Sequence, residues 1–76
     1  MNSWHYAIIK HDSSKNKKLH YYAIHEVYRN PLMYSEKESA PYGETREEII
    51  KDLENMLHDA KKYPVLSLSE LERKIK

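Results

Sequence analysis

Gly43-Glu44-Thr45-Arg46-Glu47-Glu48 divides the chain into a part whose apolar residues alternate and a part whose apolar residues recur with the period of a helix. Thr45 can accept a hydrogen bond from the backbone N–H of Glu48 while the Glu48 carboxylate reaches back to the N–H of Thr45, a capping box that satisfies two donors a helix start leaves without partners. Gly43 supplies the turn before it. Beyond Thr45, Ile49, Leu53, Met56, Leu57 and Ala60 recur at spacings of four, three, one and three, which predicts a helix over about 45–62 with one apolar stripe. Its other side carries Glu47, Lys51, Glu54 and Lys61. Glu47 and Glu48 suit the positive N-terminus of the helix dipole, and Lys61 and Lys62 suit its other end. Tyr63-Pro64 stops it, because a residue before proline avoids the α region. A second start signal follows: Ser67 with Glu70 forms another capping box and Leu66 with Leu71 a hydrophobic staple, which predicts a short helix over about 68–74.

Upstream of Gly43 the pattern is that of strands. Residues 4–11 are rich in aromatic and β-branched types, and alternation sets Trp4, Tyr6 and Ile8 on one face. The segment Asp12 to Lys18 has no apolar residue and reads as a hairpin loop. Over 19–29, Leu19, Tyr21, Ala23 and Val27 point one way and Tyr22, Ile24 and Tyr28 the other. Asn30-Pro31 breaks this long strand, and residues 32–38 can return as a third. The expected class is α+β in two layers: an antiparallel three-stranded β-sheet in β-β-β-α order packed on one α-helix, plus a short C-terminal helix.

With 76 residues the chain is a single small domain, 1–76, of a size at which folding buries only about 60 % of the unfolded surface. It has no cysteine, so disulfides and thiolate metal sites are excluded, as suits a reduced, cytoplasmic setting. No stretch approaches the roughly 20 apolar residues that span a bilayer, and the start of the chain does not read as a leader peptide, so no membrane partner is expected. A net charge of +1 conceals a basic start and end around an acidic middle: residues 36–59 hold eight acids against three bases. That pattern points to complementarity within the chain or with a patterned partner, and away from a field that would coat nucleic acid.

The strand runs Tyr6-Ala7-Ile8-Ile9 and Tyr21-Tyr22-Ala23-Ile24, followed by Gly43-Glu44-Thr45-Arg46-Glu47-Glu48 leading into a helix, resemble the small HicB-type antitoxin domain over residues 4–60. The resemblance implies a compact sheet-plus-helix unit with a partial ribonuclease H-like fold that binds and neutralises a small toxin ribonuclease, a protein-protein interaction module of regulatory type. In that family an attached DNA-binding segment represses transcription, and the last dozen residues here are too few for a helix-turn-helix.

Catalytic and cofactor readings find little to stand on. The serines lie in loops or caps with no strand-turn-helix elbow around them, a single glycine cannot build a phosphate-cradling loop, and Glu36 and Glu38 look solvated, so neither an enzyme nor a cofactor is expected. Five histidines raise the question of a metal. On extended strands His5 and His11 share a face but stand about 20 Å apart, and His20 and His25 fall on opposite faces. His5 could meet His25 across a hairpin in a suitable register; otherwise no metal is expected. Because one helix covers one sheet face, the uncovered face, carrying Tyr22, Ile24 and Tyr28 or else Trp4, Tyr6 and Ile8, should offer a partner site, with Tyr22, Ile24 and Tyr28 as the candidate contacts and either another protein or a homodimer as the partner. The alternative is a small RNA- or DNA-binding module, with Lys15, Lys17 and Lys18 on phosphates and the strand tyrosines as stacking rings.

Overall fold

In the computed structural model, which describes residues 3–75, the aromatic-aliphatic runs form two long strands. They are β1 (Ser3–His11) and β2 (Tyr21–Arg29), paired antiparallel with Ser3 opposite Arg29 and His11 opposite Tyr21. The loop between them closes with a single 3₁₀ turn over Lys17–Leu19, capped by the Asn16 side chain, which accepts from the N–H of Lys18 at 3.0 Å. Leu19 therefore belongs to the turn and not to the strand. Asn30 takes the left-handed conformation (φ 61°) that asparagine tolerates, followed by a cis peptide to Pro31.

The third strand is shorter than the predicted 32–38. Only Met33–Tyr34 (β3) pairs regularly with β2, through Val27 opposite Tyr34 and Tyr28 opposite Met33. Beyond it, Ser35 N–H donates to Glu26 O at 2.9 Å while Ser35 Oγ accepts from the N–H of Glu26, and the next tie is Ser39 N–H to Ile24 O. A serine side chain standing in for a backbone carbonyl ends the ladder, so Ser35–Ser39 follows β2 without being a strand.

The 17-residue helix α1 (Arg46–Lys62) begins where the capping signal places it. Glu48 N–H donates to Thr45 Oγ1 at 3.1 Å, but the Glu48 carboxylate returns to the N–H of Glu44, one residue earlier than the motif predicts. Gly43 is required by space: a Cβ there would lie 2.6 Å from Glu48 Cβ and 2.7 Å from Ile49 N. After Pro64 the chain forms a strand that the sequence did not announce, β4 (Leu66–Ser67), which pairs parallel with Ile9 and Lys10 of β1. The sheet is therefore four-stranded and mixed, in the order β3-β2-β1-β4, and not the expected antiparallel three-stranded one. Helix α2 (Leu68–Ile75) follows directly.

The expectation that the long helix covers the sheet is also corrected. The core consists of Ala7, Ile9 and Val27 on one sheet face, closed by Leu71 of α2 (4 % exposed) with Leu32, Tyr34, Leu66 and Leu68 around it. The short helix thus seals the core. Helix α1 packs on β1, with Met56 buried, while Ile49, Ile50, Leu53 and Leu57 remain exposed.

Candidate functional site

What turns α1 this way is a set of polar contacts that the apolar pattern hides. β4 reaches only Ile9 and Lys10, so the outer edge of β1 before them has free backbone donors. Asp59 accepts the N–H of Tyr6 there at 3.0 Å, and Asp52, two turns earlier, accepts the Tyr6 hydroxyl at 2.8 Å and the N–H of Tyr42 at 2.9 Å. At the helix end Tyr63 stacks on His5 with ring centroids 3.6 Å apart. Asp52, Met56, Asp59 and Tyr63 recur at helical spacing and form the face toward β1. Burial, with the Asp52 hydrogen bond and the charges of Asp52, Glu26 and Asp59 behind it, pushes the Tyr6 hydroxyl up to about 12. Against burial, which acts the other way, the Tyr6 N–H and His58 hold Asp59 below the ordinary carboxylate range.

At about 100° per residue, Ile49, Ile50, Leu53, Leu57 and Ala60 then centre roughly 100° around the helix from that face. Leu53 is 47 % exposed and Leu57 57 %, with Ile50 similar. This is the largest set of clustered aliphatic side chains left open, and Ile50, Leu53, Leu57 and Ala60 fall at the three-four spacing of a helix-pairing seam. Beside α1, a cleft of about 740 Å³ is lined by Trp4, Tyr6 and Tyr42 with Lys51, Asp52 and Asn55.

The candidate residues on the sheet lie on the face away from α2. The register sets Trp4 opposite Tyr28, Ile8 opposite Ile24 and Lys10 opposite Tyr22, so the two alternating sets expected as alternatives share one face. Tyr22 is 63 % exposed, whereas Ile24 and Tyr28 are half-buried, and the Tyr28 hydroxyl donates to Glu26. A shallow groove of about 180 Å³ runs along Ile8, Tyr22, Ala23 and Ile24. Lys15, Lys17 and Lys18 are exposed in the β1–β2 connection.

On the opposite face the structure assembles a group that the sequence reading kept apart. His25, fully buried, faces Ala7 and not His5. Its Nε2 lies 2.8 Å from His11 Nε2 and its Nδ1 lies 2.8 Å from Ser35 O. Glu38 joins them, with one ligand atom from each of the three residues within 4.8 Å of the others. Tyr21 stacks on the His11 ring at 4.4 Å and donates to Glu38 Oε1 at 3.4 Å. The reading by strand spacing missed the His11–His25 pair because it weighed Cα separations. Alternation puts both on one face, and Ala23, between Tyr21 and His25 on that face, is small enough to let the rings approach.

Helix α2 is held in place by Asp12 at the end of β1. Its carboxylate accepts the Ser67 hydroxyl at 2.7 Å and the Ser69 N–H at 3.0 Å, and these bonds lower it to about 2 against the effect of burial. Ser67 in turn caps α2 by accepting from Glu70 N–H at 3.4 Å.

No family model, no curated protein and no solved structure matches the chain. Among the described residues no helix is long and apolar enough to cross a membrane.

Proposed function

We propose that this chain is a protein-interaction module whose contact surface is the apolar stripe of α1 and whose partner is a second copy of itself. The observation that carries the proposal is the rotation of α1: the side bearing Asp52, Met56 and Asp59 meets β1, and Ile49, Ile50, Leu53 and Leu57 face outward. Area supports it. The chain exposes 6128 Å², roughly 1,200 Å² more than a monomer of its mass leaves accessible, and a standard interface buries about 800 Å² on each partner. The radius of gyration, 13.4 Å, likewise exceeds the ~11 Å of a compact 76-residue domain.

Charge selects the orientation. α1 carries Glu47 and Glu48 in its first turn and Lys61 and Lys62 in its last. Two such helices laid antiparallel place each acidic turn beside the other's basic turn and oppose their dipoles. A two-fold axis makes the same surface serve both copies. The sharper form of this proposal is a HicB-type antitoxin domain, in which the module also binds a small toxin ribonuclease; a toxin encoded beside it is the protein to test in pull-down.

Sedimentation equilibrium on surface variants tests the contact. Leu53→Glu with Leu57→Glu should give a folded monomer, and Tyr22→Ser with Ile24→Ser should leave the dimer intact. If the sheet variant abolishes association and the helix variant does not, the interface is the face of Tyr22, Ile24 and Tyr28, and the assignment to α1 is wrong.

A further inference from the structure

We propose that His11, His25 and Glu38 form a binding site for a divalent transition metal of the zinc class, with a coordination position open to solvent. A backbone carbonyl can only accept, so the 2.8 Å contact to Ser35 O requires the proton of the His25 ring to sit on Nδ1. The lone pair of Nε2 is thereby aimed at His11 Nε2, 2.8 Å away. Fixing a ligand's tautomer by a hydrogen bond from the other ring nitrogen is what a second coordination shell does. Ser35 is itself held against β2 through Glu26.

The other two ligands are oriented by one residue. Tyr21 stacks on His11 and reaches Glu38 with its hydroxyl, so ring and carboxylate share a support. Tyr34 packs edge-on to the His25 ring, centroids 6.1 Å apart, and gives the site an apolar wall. Two imidazoles and one carboxylate are the donor set of three-ligand zinc sites that keep a fourth position for water. His25 is fully buried and Glu38 exposed, so the cluster has a closed inner side and an open outer one.

Without an ion, His11 Nε2–H donates to the His25 lone pair. To admit one, His11 carries its proton on Nδ1 and both Nε2 atoms turn to the metal. Two nitrogens on a tetrahedral zinc stand about 3.3 Å apart given bonds of ~2.0–2.1 Å, so the rings need part by only about half an ångström. His11, only half-buried, has that freedom.

Titration of the full chain with CoCl2 and ZnCl2 tests this. The proposal predicts one ion per chain and, for cobalt, the intense visible absorption of a four-coordinate site. His11→Asn and Glu38→Gln should each weaken binding by about tenfold or more, since loss of an outer-shell partner alone costs about 10–100-fold. Both positions are accessible, so the test does not depend on a His25 variant folding. His20→Asn and His58→Asn, at surface histidines, should change nothing. Absence of saturable binding at concentrations up to about 100 µM, equivalent to a free energy weaker than ~5.5 kcal/mol, would overturn the proposal. So would binding that survives His11→Asn, or that His20→Asn or His58→Asn removes.

Discussion

Asp52 accepts the hydroxyl of Tyr6 at 2.8 Å, and this bond, with the Asp59 bond to the Tyr6 backbone, decides which side of α1 meets the sheet. Tyr6→Phe keeps the ring and removes the donor. A buried hydroxyl bonded to a carboxylate is worth about 1.5–3 kcal/mol net, so chemical denaturation should show a loss of that order. An unchanged midpoint would mean that the Asp59 bond and Met56 packing orient the helix without the hydroxyl.

The same bond sets an alkaline limit. Tyr6 is raised to about 12 by burial first and then by Asp52, with the charges of Glu26 and Asp59 adding to the effect. Because the folded value lies above the unfolded one of about 10, this contribution is fully present below pH 10 and is lost as pH rises from about 10 to 12. Stability of the parent should fall more steeply than that of Tyr6→Phe across that window. Parallel curves would contradict it.

Leu71 and Leu53 make opposite predictions although both are leucines on helices. Leu71, 4 % exposed, closes the core from α2, and Leu71→Ala should cost about 2–5 kcal/mol. Leu53→Ala should change the stability of the isolated chain little, since its side chain is half-open. Thermal unfolding at the lowest workable concentration separates the two. The reverse ranking would restore the long helix as the cover of the core.

These contrasts show what the sequence conveys. The alternation of residues 4–11 and 21–29 and the cap at Thr45 mark β1, β2 and the start of α1 because each signal is local. The orientation of α1 is not local. An apolar stripe ordinarily seeks the core, yet here Asp52 and Asp59 answer donors of Tyr6 some fifty residues earlier, and the core is sealed by an eight-residue helix. β4 was illegible for a similar reason: two of the three residues between Pro64 and α2 become a strand only through parallel pairing with Ile9 and Lys10. The His11–His25–Glu38 group required the register of β1 on β2 together with the path of Ser35–Ser39, and neither is written in residue spacing.

Gly43 offers a test of the turn before α1. Its φ is ordinary, so alanine is excluded by contact alone, with its Cβ 2.6 Å from Glu48 Cβ. Gly43→Ala should cost about 1–3 kcal/mol through forced displacement of the helix start. Circular dichroism on urea titration reads this directly, and a neutral or stabilised variant would show that the turn relaxes freely.

Asp12 should matter to α2 and little to the rest. Asp12→Ala removes the acceptor of Ser67 and Ser69, and amide exchange should quicken across Leu68–Ile75 while β2 stays protected. Uniform loss of protection would mean that α2 and the sheet open as one unit.

The pairing of α1 with a second copy is tested most directly by isotope-filtered nuclear Overhauser spectroscopy on an equal mixture of labelled and unlabelled chain. The account predicts intermolecular cross-peaks among the methyls of Ile50, Leu53 and Leu57, from a species of twice the 9.2 kDa chain mass. A spectrum with no intermolecular peaks from a 9.2 kDa species, or with peaks confined to Tyr22 and Ile24, would contradict it.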